Sequence, residues 1–494
     1  MTINQQRDYD QLDRIFHPRR LAVVGVSGDN IGFGSRTILT LQQFGYPGEI
    51  CPVNPKGGTI AGLNIYKTIE EIPGEVDMAI IAVPAPYVPA ALEACRLKGM
   101  VGAQILSAGF KELGTAEGRA LEEEIKAIAA KGIRVVGPNC FGIYCPSGGL
   151  TILPGPEFPK ESGPVAFLAQ SGGMAGEFVM NGKSLGLRFS KVVSFGNGAD
   201  LRETELLHYL GDDPETGVIC MYVEGVDDGR AFFRTLKEVT AKKPVIIYKG
   251  GLSQSGSRAV ASHTASLAGS RQIWEAAIKQ ANAVQVHNSW EMSQACLAFV
   301  TLPERSYRGI AAVGGGGALG VQAADTAERF GLEIPLLSPN TQDKIMAILP
   351  KPGSSATNPV DAANPVVPPE ILKEVLIQSG REERIDLQIL IQLFYVYKSF
   401  LRMAGGQSLD EITPYRPLTQ ALREVQEKTD KPVVLILPNS RRDVDDLDVE
   451  EVRRRALRHF SQNRILAYEN LVDALRSIRL VGQYYRQKET RLRD

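Results

Sequence analysis

The sequence predicts an α/β protein built from three successive doubly wound units. Two patterns and one number carry this. Short uninterrupted apolar runs of strand length alternate with helix-length amphipathic segments from Leu21 to the basic tail near Arg491, and several runs end in glycine-rich turns. Continuous rather than alternating apolar strands belong to parallel sheets covered on both faces. The chain has 494 residues, which at roughly 150 per domain points to about three domains.

In the first unit, residues 1–145, the strand-like runs are Leu21 to Val26, Glu49 to Val53, Met78 to Val83, Gly102 to Leu106 and Ile133 to Val136. The stretch from Pro146 to Pro164 is studded with proline and glycine, breaks all periodicity and reads as a linker. The second unit, residues 146–302, opens on Val165 to Ala169 and continues through Val192 to Ser194, Val218 to Val223 and Val245 to Tyr248. The third, residues 303–494, opens on Ile310 to Val313. The second and third are alike. Each begins strand, glycine cluster, helix, with Gln170-Ser171-Gly172-Gly173 matching Gly314-Gly315-Gly316-Gly317, and each later places Lys-Pro before a strand, at Lys243-Pro244 and Lys431-Pro432. Two flavodoxin-like modules are the economical reading.

Composition narrows the function classes. Fifty-five basic residues against 56 acidic ones give a formal net charge of −1, so no general positive field exists to hold nucleic acid or an anionic membrane. The polar segment Met1 to Arg20 lacks the apolar core of a signal peptide, and no long apolar run follows; a soluble cytoplasmic protein is expected. Six cysteines without CxxC or zinc-ligand spacing are expected as reduced thiols, and no metal site is expected. Glycine is abundant, 49 residues, which points to tight turns and to close approach of backbone to a ligand.

The first strand runs into a glycine-rich turn containing Ser27, Gly28, Asp29 and Asn30, where backbone N–H groups and a helix dipole suit a phosphate. After the second strand, Lys56 puts a cation where an NAD enzyme wants an acid. That favours a nucleotide with extra ribose phosphate, NADP or coenzyme A; the alternative is a lysine that only solvates its loop. The loops holding Ser107 and Ala108, and Asn139 and Cys140, sit at carboxyl ends of strands, the edge where open α/β sheets bind ligands. Ser171, Gly172 and Gly173 form a second anion cradle and Gly314 to Gly317 a third, although strand-to-helix turns also need glycine for steric reasons.

His263 stands apart from the other histidines because it sits in a long small-residue segment between a strand and a helix, Lys249 to Gly269, read as a mobile loop. An imidazole that accepts a phosphoryl group needs a partner to orient it and N–H donors for the phosphoryl oxygens. Glu224, at the end of Val218 to Val223, is placed to orient the ring, and Ser171 to Gly173 to hold the phosphoryl group. The alternative is a structural loop.

The string of motifs resembles the nucleoside-diphosphate-forming acyl-CoA synthetases, in particular the α-type part of ADP-forming acetate–CoA ligase and more distantly the succinyl-CoA synthetase α subunit. It rests on Pro52-Val53-Asn54-Pro55-Lys56, Ser107-Ala108-Gly109-Phe110-Lys111-Glu112, Gly137-Pro138-Asn139-Cys140-Phe141-Gly142, Gln170-Ser171-Gly172-Gly173, Ser194-Phe195-Gly196-Asn197, Tyr222-Val223-Glu224-Gly225 and Ser262-His263-Thr264 with Leu267-Ala268-Gly269. The resemblance implies a CoA-binding Rossmann-like domain followed by two flavodoxin-like, succinyl-CoA synthetase-like domains. It implies that Ser27 to Asn30 and Lys56 hold CoA phosphates, that Ser107 and Ala108 line the pantetheine path, that Asn139 and Cys140 lie near the thiol, and that His263 is phosphorylated with Glu224 orienting it. The family reaction interconverts acyl-CoA, phosphate and ADP with carboxylic acid, CoA and ATP.

No segment resembles an ATP-grasp domain, so ATP or ADP with Mg2+ is expected at a separate ATP-grasp β subunit, in a hetero-oligomer. Ala265 stands where the family usually has glycine, and Gly198 follows Asn197. The strand Leu387 to Phe394 runs into Tyr395-Val396-Tyr397-Lys398 where small or proline-containing turns are common; these tyrosines either shape the acid pocket or simply pack. Two rival classes remain open at this level: a CoA-binding protein without catalysis, and an NADP-dependent oxidoreductase, which rests on the first domain alone.

Overall fold

The computed structural model describes residues 3–27, 32–152, 155–264 and 270–493, the side chains at 3–8, 156, 261–264, 402 and 492–493 apart. The chain forms two compact units, Met1–Met292 and Ser293–Asp494.

The first unit holds two main sheets. In the first, β1 (Arg20–Val24), β2 (Glu49–Val53), β5 (Met78–Ile81), β6 (Gly102–Ile105) and β7 (Arg134–Val136) run parallel in the order β2-β1-β5-β6-β7, while β3 (Thr59–Ile60) and β4 (Leu63–Asn64) make a small separate hairpin. The second contains β8 (Gly142–Tyr144), β9 (Ser162–Ala169), β10 (Phe189–Ser194), β11 (Val218–Val223), β12 (Val245–Lys249) and β13 (Val284–Val286) in the order β13-β12-β11-β9-β10-β8. All its pairings are parallel except β8 on β10. The strand centres are fully buried because helices cover both faces, which is why they could be read as unbroken apolar runs. The two sheets share a core: Leu12 and Phe16 of the helix Ile3–Phe16 and Leu21 of β1 belong to one apolar cluster with Leu168, Val193 and Tyr209. Phe16 stacks on Tyr209 at 5.0 Å between ring centroids.

The second unit has β14 (Ile310–Gly314), β15 (Val360–Asp361), β16 (Leu387–Ile391), β17 (Val433–Ile436) and β18 (Ala467–Tyr468), all parallel, in the order β15-β14-β16-β17-β18. With β8 set aside, the second and third sheets have the same topology, the flavodoxin-like order in which the first strand is flanked by the second and third. The kinship expected from the glycine clusters is therefore a kinship of strand order. Each sheet has its switch point beside its first strand, and the glycine turns after β1, β9 and β14 all open there.

Several elements differ from the sequence reading. Gly142–Tyr144, read as the end of a loop, is the antiparallel edge strand β8, and it pairs with the second sheet rather than the first. A three-residue strand has no periodicity to detect; it is fixed by burial of Tyr144 and by the Ile143 N–H, which donates to Gln104 Oε1 at 3.1 Å. The linker ends sooner than expected, since β9 begins at Ser162. Within the segment read as a mobile loop around His263, residues 265–269 lie outside the described residues and Gln254–Thr264 folds into a helix. Ser253 caps it, its hydroxyl accepting the Gly256 N–H at 3.0 Å, and Ser257 Oγ donates to Gly251 O at 2.8 Å. The run expected to extend to Phe394 stops at Ile391 and turns into the 3-10 helix Phe394–Met403. There Tyr397 packs edge-on against Phe394 in the core, Tyr395 packs against the same core, and Lys398 pairs with Asp446 and Asp448. Among the described residues no helix is long and apolar enough to cross a membrane.

Candidate active site

The first unit contains a cavity of about 380 Å3 whose walls come from both of its sheets. Ser107 and Ala108 line it from the end of β6, Asn139, Cys140 and Phe141 from the turn after β7, and Ser171, Gly172 and Gly173 from the turn after β9. Seven expected site residues, contributed by three separate loops, thus share one chamber. The rest of the wall includes residues not expected at the site: Phe33, Thr37 and Thr40 on the helix Phe33–Phe44, with Gln104, Thr151 and Ile152. Of these only Gln104 carried a signal, an amide in an otherwise apolar strand.

The cradle is a helix start. Ser171 is the N-cap of Gly172–Leu185 and its hydroxyl accepts the Met174 N–H at 3.4 Å, leaving first-turn N–H groups without intrahelical partners beside the cavity. Glycine is required here sterically: a Cβ on Gly172 would lie 2.7 Å from the Phe141 ring. The same turn is clamped from below by Gln170. Its Oε1 accepts the N–H groups of Glu224 and Gly225, and its Nε2 donates to Gly225 O at 3.1 Å. Glu224 is buried at the end of β11 and its Oε1 accepts from Tyr222 Oη at 3.0 Å.

The Asn139 turn is held by a buried polar lattice. Asn197 Nδ2 donates to Glu112 Oε2 at 2.6 Å and to Glu122 Oε2 at 2.9 Å, while its Oδ1 accepts from Asn139 Nδ2 at 3.4 Å. Lys111 Nζ reaches Asn197 O at 2.9 Å and Glu122 at 2.8 Å. Burial pushes the Glu112 carboxyl upward, but donation from Asn197 and from the amides of Gly109 and Phe110 outweighs it and leaves the group below the ordinary carboxylate range. Gly196, at φ +56°, passes so close to this turn that a Cβ would lie 2.3 Å from the carbonyl oxygens of Pro138 and Asn139.

Cys140 has a different place from a reactive thiol. It is buried, donates to Ile105 O at 3.2 Å, and burial pushes its pKa up to about 12. Its contribution to the cavity is shape.

Among the described residues, Ser27 and Lys56 do not line the chamber. Ser27 is tied to the following helix, its N–H donating to Ser35 Oγ at 2.9 Å. Gly28, Asp29 and Asn30 lie outside the described residues. Lys56 is exposed on the loop after β2, where its backbone N–H closes an Asn54 turn at 2.9 Å. His263 lies in the last turn of Gln254–Thr264, a helix that runs beside the turn Lys111–Leu113; its side chain is outside the description. Gly314 to Gly317 end β14 and open the helix Gly317–Arg329 of the second unit.

Similarity to known proteins agrees with this layout. Residues 19–146 match the model of a CoA binding domain, and residues 162–299 that of a succinyl-CoA ligase like flavodoxin domain. The α subunit of the Pyrococcus furiosus ADP-forming acetate–CoA ligase II is 41% identical over 71% of this chain and 76% of its own length. The Archaeoglobus fulgidus ADP-forming acetate–CoA ligase I is 37% identical over 81% of this chain and 59% of its own. In structure, a chain of the dinucleotide forming acetyl-coenzyme A synthetase 1 of Ca. Korarchaeum cryptofilum, in complex with phosphate and ADP, superposes with a TM-score of 0.82 at 29% identity, covering 98% of each chain.

Proposed function

We propose, because the chain belongs to the family of ADP-forming acetate–CoA ligase α subunits, that it is the acyl-transferring and phosphoryl-relaying part of an ADP-forming acyl-CoA synthetase. It is an acid–thiol ligase whose partner is a separate ATP-grasp β subunit holding ADP or ATP with Mg2+, in a cytoplasmic hetero-oligomer. The division into domains at residues 145 and 302 belongs to the same reading.

The observation that carries this is the convergence of Ser107, Ala108, Asn139 and the Ser171–Gly173 helix start on one cavity. Its volume and its mixed apolar and amide walls fit a long thin ligand such as the pantetheine arm of CoA. Ser27 follows β1 and Lys56 follows β2, neighbouring strands of the first sheet, and in this reading Ser27 to Asn30 and Lys56 hold the CoA phosphates. Phosphate attacks the thioester carbonyl and expels CoA as thiolate, giving an acyl phosphate. A ring nitrogen of His263 then takes the phosphoryl group, and the carboxylate leaves. Glu224 orients the imidazole, and the first-turn N–H groups of Gly172 and Gly173 with the Ser171 hydroxyl face the phosphoryl oxygens. Transfer to ADP on the partner completes the reaction.

The test is intact-mass measurement of the chain after mixing with acyl-CoA and phosphate, or with the partner and ATP. One acid-labile phosphate is expected on the wild type and none on His263→Asn; Glu224→Gln should label at least tenfold more slowly. Normal labelling of His263→Asn would overturn the assignment.

A further inference from the structure

We propose that Lys249 is a positioning residue for phosphoryl transfer, tying the turn that carries Glu224 to the segment that carries His263; this rests on the phosphohistidine reading above. Lys249 is the last residue of β12 and is only 3% exposed. Its Nζ donates to the carbonyl of Glu224 at 2.7 Å and to the carbonyl of Gly250. The first carbonyl belongs to the residue that orients the histidine. The second begins the stretch that leads through Gly251 and Ser253 into the helix Gln254–Thr264. One ammonium group thus joins the origins of two loops that leave neighbouring parallel strands, β11 and β12, on the same sheet edge.

The surroundings make this tie rigid. The Trp274 ring covers Nζ at 5.3 Å, and Glu224 is held from the other side by Gln170, whose neighbour Ser171 caps the cradle helix. The sequence of contacts Ser171–Gln170–Glu224–Lys249–Gly250 therefore fixes cradle, orienting carboxylate and histidine segment relative to one another. Burial pushes the amine down to about 8, with Glu224 acting in the opposite direction. Both hydrogen bonds survive deprotonation, because a neutral amine keeps two N–H donors for the two carbonyls. A buried lysine that donates to two backbone carbonyls holds geometry, whereas a lysine kept for charge alone would face a carboxylate.

Two measurements on the full-length chain test this. The first is the rate at which acyl-CoA and phosphate label His263. Lys249→Met should lower the limiting rate ten- to a hundredfold, on the order of what a misplacement of about 1 Å costs, while half-saturating acyl-CoA and phosphate stay within about twofold. Lys249→Arg, which keeps the donors, should recover most of the rate and provides the folded control. The second is backbone hydrogen exchange, expected to quicken in Lys249→Met across residues 224–226 and 250–260 and to stay unchanged in β9. Wild-type rate and wild-type exchange in Lys249→Met would overturn the proposal, as would a lowered rate with unchanged exchange. Quickened exchange in a chain whose wild type takes no phosphate would uphold the tie and overturn the phosphohistidine reading instead.

Discussion

At the scale of single residues, the site is set by close approaches that admit no substitution. Gly196 sits at positive φ with two carbonyl oxygens where a Cβ would go. Gly196→Ala should therefore cost about 3 kcal/mol in a urea titration, combining overpacking with left-handed strain, and should weaken CoA binding because the Asn139 turn has to shift. Asn197→Ala takes from Glu112 and the buried Glu122 the amide they share; a loss of about 3 kcal/mol is expected on the same measurement. Lys249 has a pH signature of its own. Its folded pKa of about 8 lies below the ordinary 10.5, so between those values the unfolded chain holds more protons and stability rises with pH. Below pH 8 the amine is charged in both states and the full desolvation cost is present. Relative to Lys249→Met, the wild type should gain roughly 2 kcal/mol between pH 7.5 and 10; no change in that difference would mean that the amine is not desolvated.

At the scale of elements, the helix Gln254–Thr264 depends on its cap. Ser253→Ala should cost about 1 kcal/mol of local stability, seen as faster exchange over residues 254–260 while the Gln170 clamp on Glu224 stays protected. The same helix shows why part of the site could not be read in the sequence. Gly250 to Ser262 is rich in glycine and serine, and composition alone favours a loop; the cap, and packing beside Lys111–Leu113, make it helical. The strand β8 escaped for another reason, being too short to show a period. By contrast β11 ran over the residues expected, because both faces of its sheet are covered and its apolar run is unbroken; β2 did so as well, although its first residue, Glu49, is exposed.

At the scale of the whole molecule, all six cysteines are buried and none is in a disulfide. A thiol reagent at neutral pH should modify close to none of them in the native protein and all of them after denaturation; rapid native labelling of Cys140 would contradict its burial. What the sequence determined by itself was whatever depends on local chemistry: parallel sheets from continuous apolar runs, the glycine turns at their carboxyl ends, and the order of motifs that marks the family. Tertiary structure alone decided which of those turns meet. Ser107, Asn139 and Ser171 are far apart in the chain, and they converge because two sheets share one core in the first unit and present their carboxyl-terminal edges to one cavity. The lattice around Asn197 and the tie made by Lys249 belong to the same class, since a hydrogen bond between residues distant in sequence leaves no periodic trace in the chain that forms it.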